Sequence, residues 1–331
     1  VRSEKMRSKI LEELYINKGK HISGEVLRTK LGVSRTAIWK HINALKEEGY
    51  NIETIPRKGY MLLEMKDKLL PKEIEVLISN NIIGQQIIYF DSIDSTNSYA
   101  KKEANKLKDG TVILSEEQLL GRGRRGRSWS SPKGTGIWMS LVLKPNIPPT
   151  EGVKMTQIAA AAVCKAIREL TGLNALIKWP NDIVINGKKI CGILTEMAGE
   201  LNEVNYIIVG IGINVNTDGF ACELKEKATS LFIEGGKKID RRELVVNILK
   251  NFEALYNIYI KDLDLDETLV IVKNYSAILG KEIKIIQGNL EKKARAIDIN
   301  NEGLLLVQMD DGNKELISSG EVSIRGGNGY I

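Results

Sequence analysis

Between residues 121 and 129 the chain reads Gly-Arg-Gly-Arg-Arg-Gly-Arg-Ser-Trp, three glycines interleaved with four guanidiniums and closed by an indole. Glycine lets the backbone take positive φ and brings bare N–H groups against a ligand. Concave runs of such N–H groups bind anions, and arginine adds planar bidentate donors matched to carboxylate and phosphate. The segment predicts an anion-binding loop, with the ring of Trp129 available to cover a nucleobase. Taken alone, the same residues would equally suit an arginine-rich surface loop that meets nucleic acid, because short basic motifs recur widely.

Four further motifs stand around that loop in order. Asp94-Ser95-Thr96-Asn97 lies upstream; Lys178-Trp179-Pro180-Asn181-Asp182, then GKKICGILTE from Gly187 to Glu196, then GIGINVN from Gly210 to Asn216 lie downstream. The chain has two histidines, His21 and His41, so everything after Tyr60 works without imidazole. That argues against a Ser-His-Asp hydrolase or a histidine-ligated zinc enzyme in the larger part. Chemistry there must lean on Lys, Arg, carboxylates and backbone donors, with or without a bound Mg²⁺. Cys164, Cys191 and Cys222 are odd in number and far apart, which fits neither a disulfide framework nor a metal site and predicts buried free thiols. Gly210-Ile211-Gly212 lacks the third glycine and the βαβ surroundings of a dinucleotide fingerprint.

At 331 residues the chain suits two or three domains, and a hydrophobic content of 43% is enough to fill their cores. No run of 18 apolar residues and no apolar signal region are present, which predicts a cytoplasmic protein with no membrane partner. Charge is unevenly placed. Residues 1–65 hold 13 Lys+Arg against 8 Asp+Glu, a net +5 of the formal +6, which is the electrostatic footprint of a nucleic-acid module.

The elements that must position these residues fall into three units, giving a multidomain α+β fold class. Over 1–65, Met6, Ile10, Leu11 and Leu14 repeat at helical spacing. Ser23 caps a second helix carrying Val26, Leu27 and Leu31, and after Gly32 Ser34 caps a third with Ala37, Ile38, Ile42 and Leu45 buried and Gly49 past its end. Two short helices around a glycine turn make a helix-turn-helix. The apolar stripe leaves Arg35, Thr36, Trp39, Lys40 and Asn43 on a face suited to a major groove, whereas Arg28 and Lys46 read as solvated charges. Strands at Asn51–Ile55 and Tyr60–Leu63 flank a basic tip, Arg57-Lys58, that could act as a wing on the phosphate backbone.

A linker over 64–71 leads to the central unit, 66–279. Strands are expected at Ile87–Phe90, Thr111–Ser115, Ile137–Leu143, Ala175–Lys178, Ile183–Ile185, Ile190–Met197 and Val204–Val209. Helices are expected at Thr96–Lys108, Glu151–Leu170 and Arg241–Ile260. Asn186-Gly187 is a type I′ hairpin signal, and hairpins mixed with helices predict a mixed sheet with helices on one face. The polar segment 217–238 reads as a mobile loop near the site. Over 280–331, five short strands with turns at Gly288, Asn300–Gly303 and Asp311-Gly312 predict a small β-barrel.

The five motifs, in this order and with matching ends at both termini, closely resemble the biotin protein ligases over nearly the whole chain. With the helix-turn-helix they resemble the bifunctional members that also repress the biotin operon. The resemblance implies an SH3-like C-terminal barrel, echoed by Gly320 to Arg325, and a biotin-[acetyl-CoA-carboxylase] ligase activity. Biotin's carboxylate attacks the α-phosphate of ATP, giving biotinyl-5′-adenylate, and a lysine of a biotin carboxyl carrier protein then takes the biotinyl group. It implies ATP, Mg²⁺ and biotin as ligands, operator DNA as a second partner, and a homodimer promoted by the adenylate acting as corepressor.

By motif position, Ser95, Thr96, Asn97 and Gln118 hold the ureido head of biotin, and Arg122, Gly123 and Arg124 run along the carboxylate and α-phosphate, with Arg127 nearby. Lys189 reaches the reacting oxygens as the catalytic partner of Arg124, and Lys178 is a second cation for ATP. Trp129 stacks on adenine, since 226–231 holds no tryptophan for it, and Asn214 and Asn216 lie near phosphate or ribose. Open alternatives are a plain helix cap for Ser95-Thr96-Asn97, core packing for Trp129 and Trp179, a turn role for Asp182 and a solvated charge for Arg125. At the level of function the alternatives are a lipoate or octanoate ligase and a biotin-sensing transcription factor without catalysis. The arginine loop with Lys189 speaks against the sensor, which has no need of phosphate-directed cations.

Overall fold

The computed structural model describes residues 2–17, 19–47, 50–63, 67–78, 81–200, 203–287, 290–318 and 323–326. Gly49, Gly288, Gly320 and residues 64–66 therefore lie outside the described residues. The chain divides into two compact units, Val1–Ser79 and Asn80–Ile331.

In the first unit α1 (Arg2–Ile16), α2 (Gly24–Leu31) and α3 (Arg35–Glu47) are followed by a hairpin of β1 (Ile52–Ile55) and β2 (Gly59–Leu62), then α4 (Pro71–Leu77). Ile10, Leu11, Leu14, Leu27, Ile38, Ile42 and Leu45 are fully withdrawn from solvent and form one core, as their helical spacing predicts. Ser23 caps α2 by accepting from Val26 N at 3.1 Å, and Gly32 ends it in the left-handed region at φ 66°. Val26 is exposed and Ala37 half-buried, because each lies at the rim of its helix's apolar stripe. The hairpin is tied to the α2 approach by Ile22 and Tyr60, which exchange both backbone hydrogen bonds at 2.8 and 2.9 Å. Helix α4 starts at a proline, begins without a side-chain cap and packs on α1. The expected linker thus runs straight into a short helix that has no cap signature to announce it.

The second unit is built on a seven-stranded sheet. In chain order it contains β3 (Ile87–Phe90), α5 (Thr96–Glu103), β4 (Thr111–Ser115), β5 (Gly136–Leu143), α6 (Pro149–Gly152), α7 (Met155–Thr171), β6 (Leu176–Lys178), β7 (Asp182–Ile185), β8 (Lys188–Gly199), β9 (Val204–Asn214), α8 (Leu231–Gly235), α9 (Arg241–Asp262) and α10 (Asp266–Asn274). The spatial order is β3-β4-β5-β9-β8-β7-β6, antiparallel except for β3 with β4. Asn186 and Gly187 both take positive φ, 49° and 76°, at the β7–β8 turn.

Helix α7 lies on the sheet, α9 and α10 pack against α7, and α9 also touches β5. The short α5 covers the part of β4, β5 and β9 beside the site. It stops at Glu103, earlier than its periodicity suggests, because Gly110 at φ 75° must turn the chain into β4. The expected helix over 151–170 is split into α6 and α7. Cys164 and Cys191 are buried free thiols, but Cys222 is exposed, because it lies on the segment 217–228 outside the sheet.

The C-terminal strands β10 (Glu282–Gln287), β11 (Leu290–Ile299), β12 (Leu305–Met309), β13 (Lys314–Ile317) and β14 (Ser323–Gly326) pair antiparallel in the order β13-β12-β11-β10-β14. All five expected strands are present. No described helix is long and apolar enough to cross a membrane.

Candidate active site

The ends of β5, β8 and β9, the N-terminus of α5, the arginine loop and the segment 217–228 enclose one cavity of about 810 Å³. Its first wall is polar and fully braced. Ser95 caps α5, accepting from Ser98 N at 3.4 Å. Thr96 donates to Gln118 Oε1 from its backbone N at 2.9 Å and from Oγ1 at 3.1 Å, and Gln118 Nε2 donates to Ser131 Oγ at 2.9 Å. Asn97 Nδ2 donates to Leu194 O and Glu196 Oε2 at 3.3 and 3.0 Å, while Ser140 Oγ donates to Asn97 Oδ1 at 2.6 Å. These side chains cap a helix and line the cavity together, so the two readings of Ser95-Thr96-Asn97 are not exclusive.

The floor is glycine because side chains must press against it. A Cβ on Gly210 would lie 2.2 Å from Asn97 Oδ1, and one on Gly212 would lie 2.6 Å from Trp129 Nε1. The repeat Gly210-Ile211-Gly212 thus serves close approach of side chains to a strand, inside β9.

Cations line the same cavity. In the arginine loop Arg124–Gly126 make a single 3₁₀ turn with Arg125 and Gly126 left-handed at φ 58° and 71°, and Gly123 N donates to Arg127 O at 2.7 Å. Arg122, Gly123, Arg124, Arg125 and Arg127 all line the cavity, as do Lys178 and Lys189. Arg124 Nη1 donates to Asn181 Oδ1 at 2.8 Å, and Asn181 Nδ2 donates to Ile193 O at 3.0 Å. Burial pushes the Arg124 guanidinium below its ordinary value, opposed by the nearby Asp182 carboxylate and reinforced by Arg125 and Arg127. Lys189 Nζ pairs with Asp182 Oδ1 at 2.6 Å and lies 5.1 Å from the Trp129 ring centroid. Cations held in this way can stabilise negative charge that develops on carboxylate and phosphate oxygens.

Asn214 lines the cavity and donates to Thr229 O at 3.1 Å. The structure separates Asn216 from this group: it is not among the lining residues, and its amide exchanges two hydrogen bonds of 2.9 Å with the backbone of Ile239. Several lining or bracing residues escaped the motif reading. Ser140 is a lone hydroxyl in the apolar strand GIWMSLVL, itself a signal. Asn181, Asp182 and Glu196 lay inside motifs without a role. Phe220 is a further flat ring on the cavity wall, beside Trp129 and Trp179, and lies outside the five motifs.

In the first unit, Arg35, Thr36, Trp39 and Lys40 are exposed along α3, Asn43 is half-buried, and Arg57 and Lys58 are exposed at the hairpin tip. Trp39 is 58% exposed among these polar and charged residues. Arg35 is not loose: Glu25 accepts from it at 2.6 and 3.0 Å and from Arg28 at 2.5 and 2.8 Å.

Sequence-family models match in the same three regions: the biotin/lipoate A/B protein ligase family over 89–214, an HTH domain over 7–61 and the biotin protein ligase C terminal domain over 278–325. The bifunctional ligase/repressor BirA of Bacillus spizizenii is 42% identical over 94% of this chain and 97% of its own length. The chain belongs to the bifunctional biotin ligase/repressor family. The Escherichia coli member is 30% identical over 93% of this chain and 94% of its own length. Among solved structures, a biotin protein ligase from Aquifex aeolicus in complex with biotin and ATP superposes with a TM-score of 0.65 at 29% identity, covering 73% of this chain and 99% of that one.

Proposed function

We propose that this chain activates biotin with ATP, transfers it to a lysine of a biotin carboxyl carrier protein, and with the adenylate bound represses biotin synthesis genes at operator DNA. The observation that carries the reading is one cavity lined by a braced polar group, by glycines of a strand and by the cations Arg122, Arg124, Arg125, Arg127, Lys178 and Lys189. Residues 66–279 carry the ligase chemistry, 280–331 form a C-terminal β-barrel domain, and 1–65 bind DNA.

Biotin's ureido head takes the polar wall of Ser95, Thr96, Asn97 and Gln118, where an unpaired group would cost about 1–3 kcal/mol. Its carboxylate then lies toward Arg122, Gly123 and Arg124. A carboxylate oxygen bonds the α-phosphorus, the bond to the β-phosphate bridging oxygen breaks, and pyrophosphate leaves. Arg124 and Lys189 stabilise the charge gathering on the α-phosphoryl oxygens, with Arg127, Lys178 and Asn214 on the remaining phosphates and Trp129 or Phe220 as the flat face for adenine. Mg²⁺ enters with the phosphates of ATP. In the second step the carrier's neutral lysine amine bonds the acyl carbon, the anhydride bond breaks, AMP leaves, and the amine gives up a proton to solvent.

Intact mass of an acceptor carrier domain incubated with this chain, biotin and ATP·Mg tests the whole sequence. Gain of one biotinyl group, absent without ATP, is expected; an unchanged carrier mass overturns the ligase reading.

A further inference from the structure

The turn between β11 and β12 reaches out of the C-terminal sheet toward the ligase core. Asn300 shapes it: its backbone carbonyl accepts from Gly303 N at 2.8 Å, and its side-chain oxygen accepts from Leu304 N and Glu302 N at 2.8 and 3.1 Å. Gly303 is buried at φ 76°, and a Cβ there would lie 2.2 Å from Gln157 Nε2. A left-handed backbone and a blocked Cβ position both demand glycine. Its carbonyl oxygen accepts two side-chain hydrogen bonds from the central domain, one from Gln157 Nε2 of α7 at 2.6 Å and one from Trp179 Nε1 at 3.1 Å. Trp179 is 2% exposed and Gln157 7%, so neither donor has bulk water as an alternative. Glu302, next to Gly303, pairs with the buried Lys154 at 2.8 Å and ties the same turn to the start of α7.

Trp179 itself touches the cavity, and its sequence neighbours belong to the site. Lys178 and Asn181 line the cavity, and Asn181 is the residue that holds Arg124. From the Gly303 carbonyl to the Arg124 guanidinium the path is one indole N–H, two peptide units and one carboxamide. We propose that the Gly303 carbonyl is a positioning group for adenylation: it fixes the Trp179 indole, and through the Trp179–Asn181 backbone it sets the carboxamide that aims Arg124 into the cavity. The inference rests on the ligase reading, and it makes the β11–β12 turn part of the active-site scaffold.

Trp179→Phe removes the N–H and keeps an aromatic ring, and Asn181→Ala removes the next link. Pyrophosphate release with biotin and ATP·Mg is measured on the full chain for wild type, both single variants and the double variant, at a temperature where circular dichroism shows each to be folded. Because small misplacements of a positioned group cost large factors, Trp179→Phe is expected to lower kcat about tenfold in the wild-type background. With Asn181 already gone it should lower kcat less than about twofold, since residues on one path are non-additive. Equal losses in the two backgrounds mark a merely structural role and overturn the proposal, as does no loss in the wild type. Hydrogen exchange on the same proteins needs no reaction: Trp179→Phe should raise exchange over 179–194 and leave 87–115 unchanged, and unchanged exchange over 179–194 overturns the proposal. A wild type that releases no pyrophosphate defeats the ligase reading while the exchange result still decides this one.

Discussion

In the proposed reaction Arg124 and Lys189 act as fixed charges, and each is held by a neighbour, Asn181 for the first and Asp182 for the second. Removing one preorganised donor aimed at developing charge typically costs on the order of 10²–10³ in rate. Arg124→Ala and Lys189→Ala should each slow pyrophosphate release by about that factor without loss of folded signal, and near-wild-type rates would remove them from the chemistry. Arg124→Lys should rescue little, because a point charge cannot keep both the Asn181 bond and a planar grip on an anion. Thiol chemistry separates the cysteines at the same scale. Burial pushes Cys164 up to about 12 and Cys191 higher still, so their thiolates are scarce below that pH. One equivalent of a maleimide should label the native chain quickly at pH 8, at the exposed Cys222, and three should label it once unfolded.

At the scale of elements, α3 carries both a core stripe and a polar face, and the two separate experimentally. Ile42 is fully buried, and Ile42→Ala should cost about 2–5 kcal/mol of the first unit's stability, read as a lower melting transition of that unit with ligation kept. Lys40→Ala should leave stability nearly unchanged and flatten the log-log salt dependence of DNA binding by roughly 0.9 if it neutralises one phosphate. On the neighbouring helix, hydrogen bonds from Arg28 and Arg35 hold the Glu25 carboxyl down at about 2. A depressed carboxylate loses its partners only as pH falls from the ordinary carboxylate range toward that value, so this bridge persists throughout pH 5–8. Carboxyl NMR titration should place Glu25 near 2, and Arg35→Ala should move it up; an ordinary midpoint in the parent chain would show that the bridge does not form.

Periodicity located α1 to α3, β3 to β5 and the C-terminal strands because each has a clean apolar pattern. Helices α4 and α8 span seven and five residues, two turns or fewer, in which a 3.6-residue period does not declare itself. The cations and glycines of the cavity were legible because their types are demanded by chemistry or by close approach. Their bracing partners were not: Ser131, Ser140, Glu196 and Gly303 meet the site only through long-range contacts, and nothing local to them records which distant side chain they will meet.

For the whole molecule, one chain offers one recognition helix, and repression by such modules generally takes two on half-sites set by a dimer. The expected loop over 217–238 is a loop only in its first half, since Thr229 and Ser230 are buried and α8 occupies Leu231–Gly235. If the adenylate orders the 121–126 loop and residues 217–228, both at the cavity wall, it can strengthen a dimer surface on the central sheet. Linkage then requires operator DNA to favour the liganded dimer by the same coupling free energy. Sedimentation with and without biotin plus ATP should show ligand-promoted dimerisation, and identical distributions would leave the helix-turn-helix without a ligand-controlled role. Everything at this scale depends on the cavity making biotinyl-adenylate. The most direct measurement is pyrophosphate release by the intact chain with ATP·Mg and biotin, lipoate or octanoate in parallel. Release with biotin, and at least about tenfold less with either fatty acid, is the expected result. Equal or faster release with lipoate or octanoate, or none with any of the three, would contradict it.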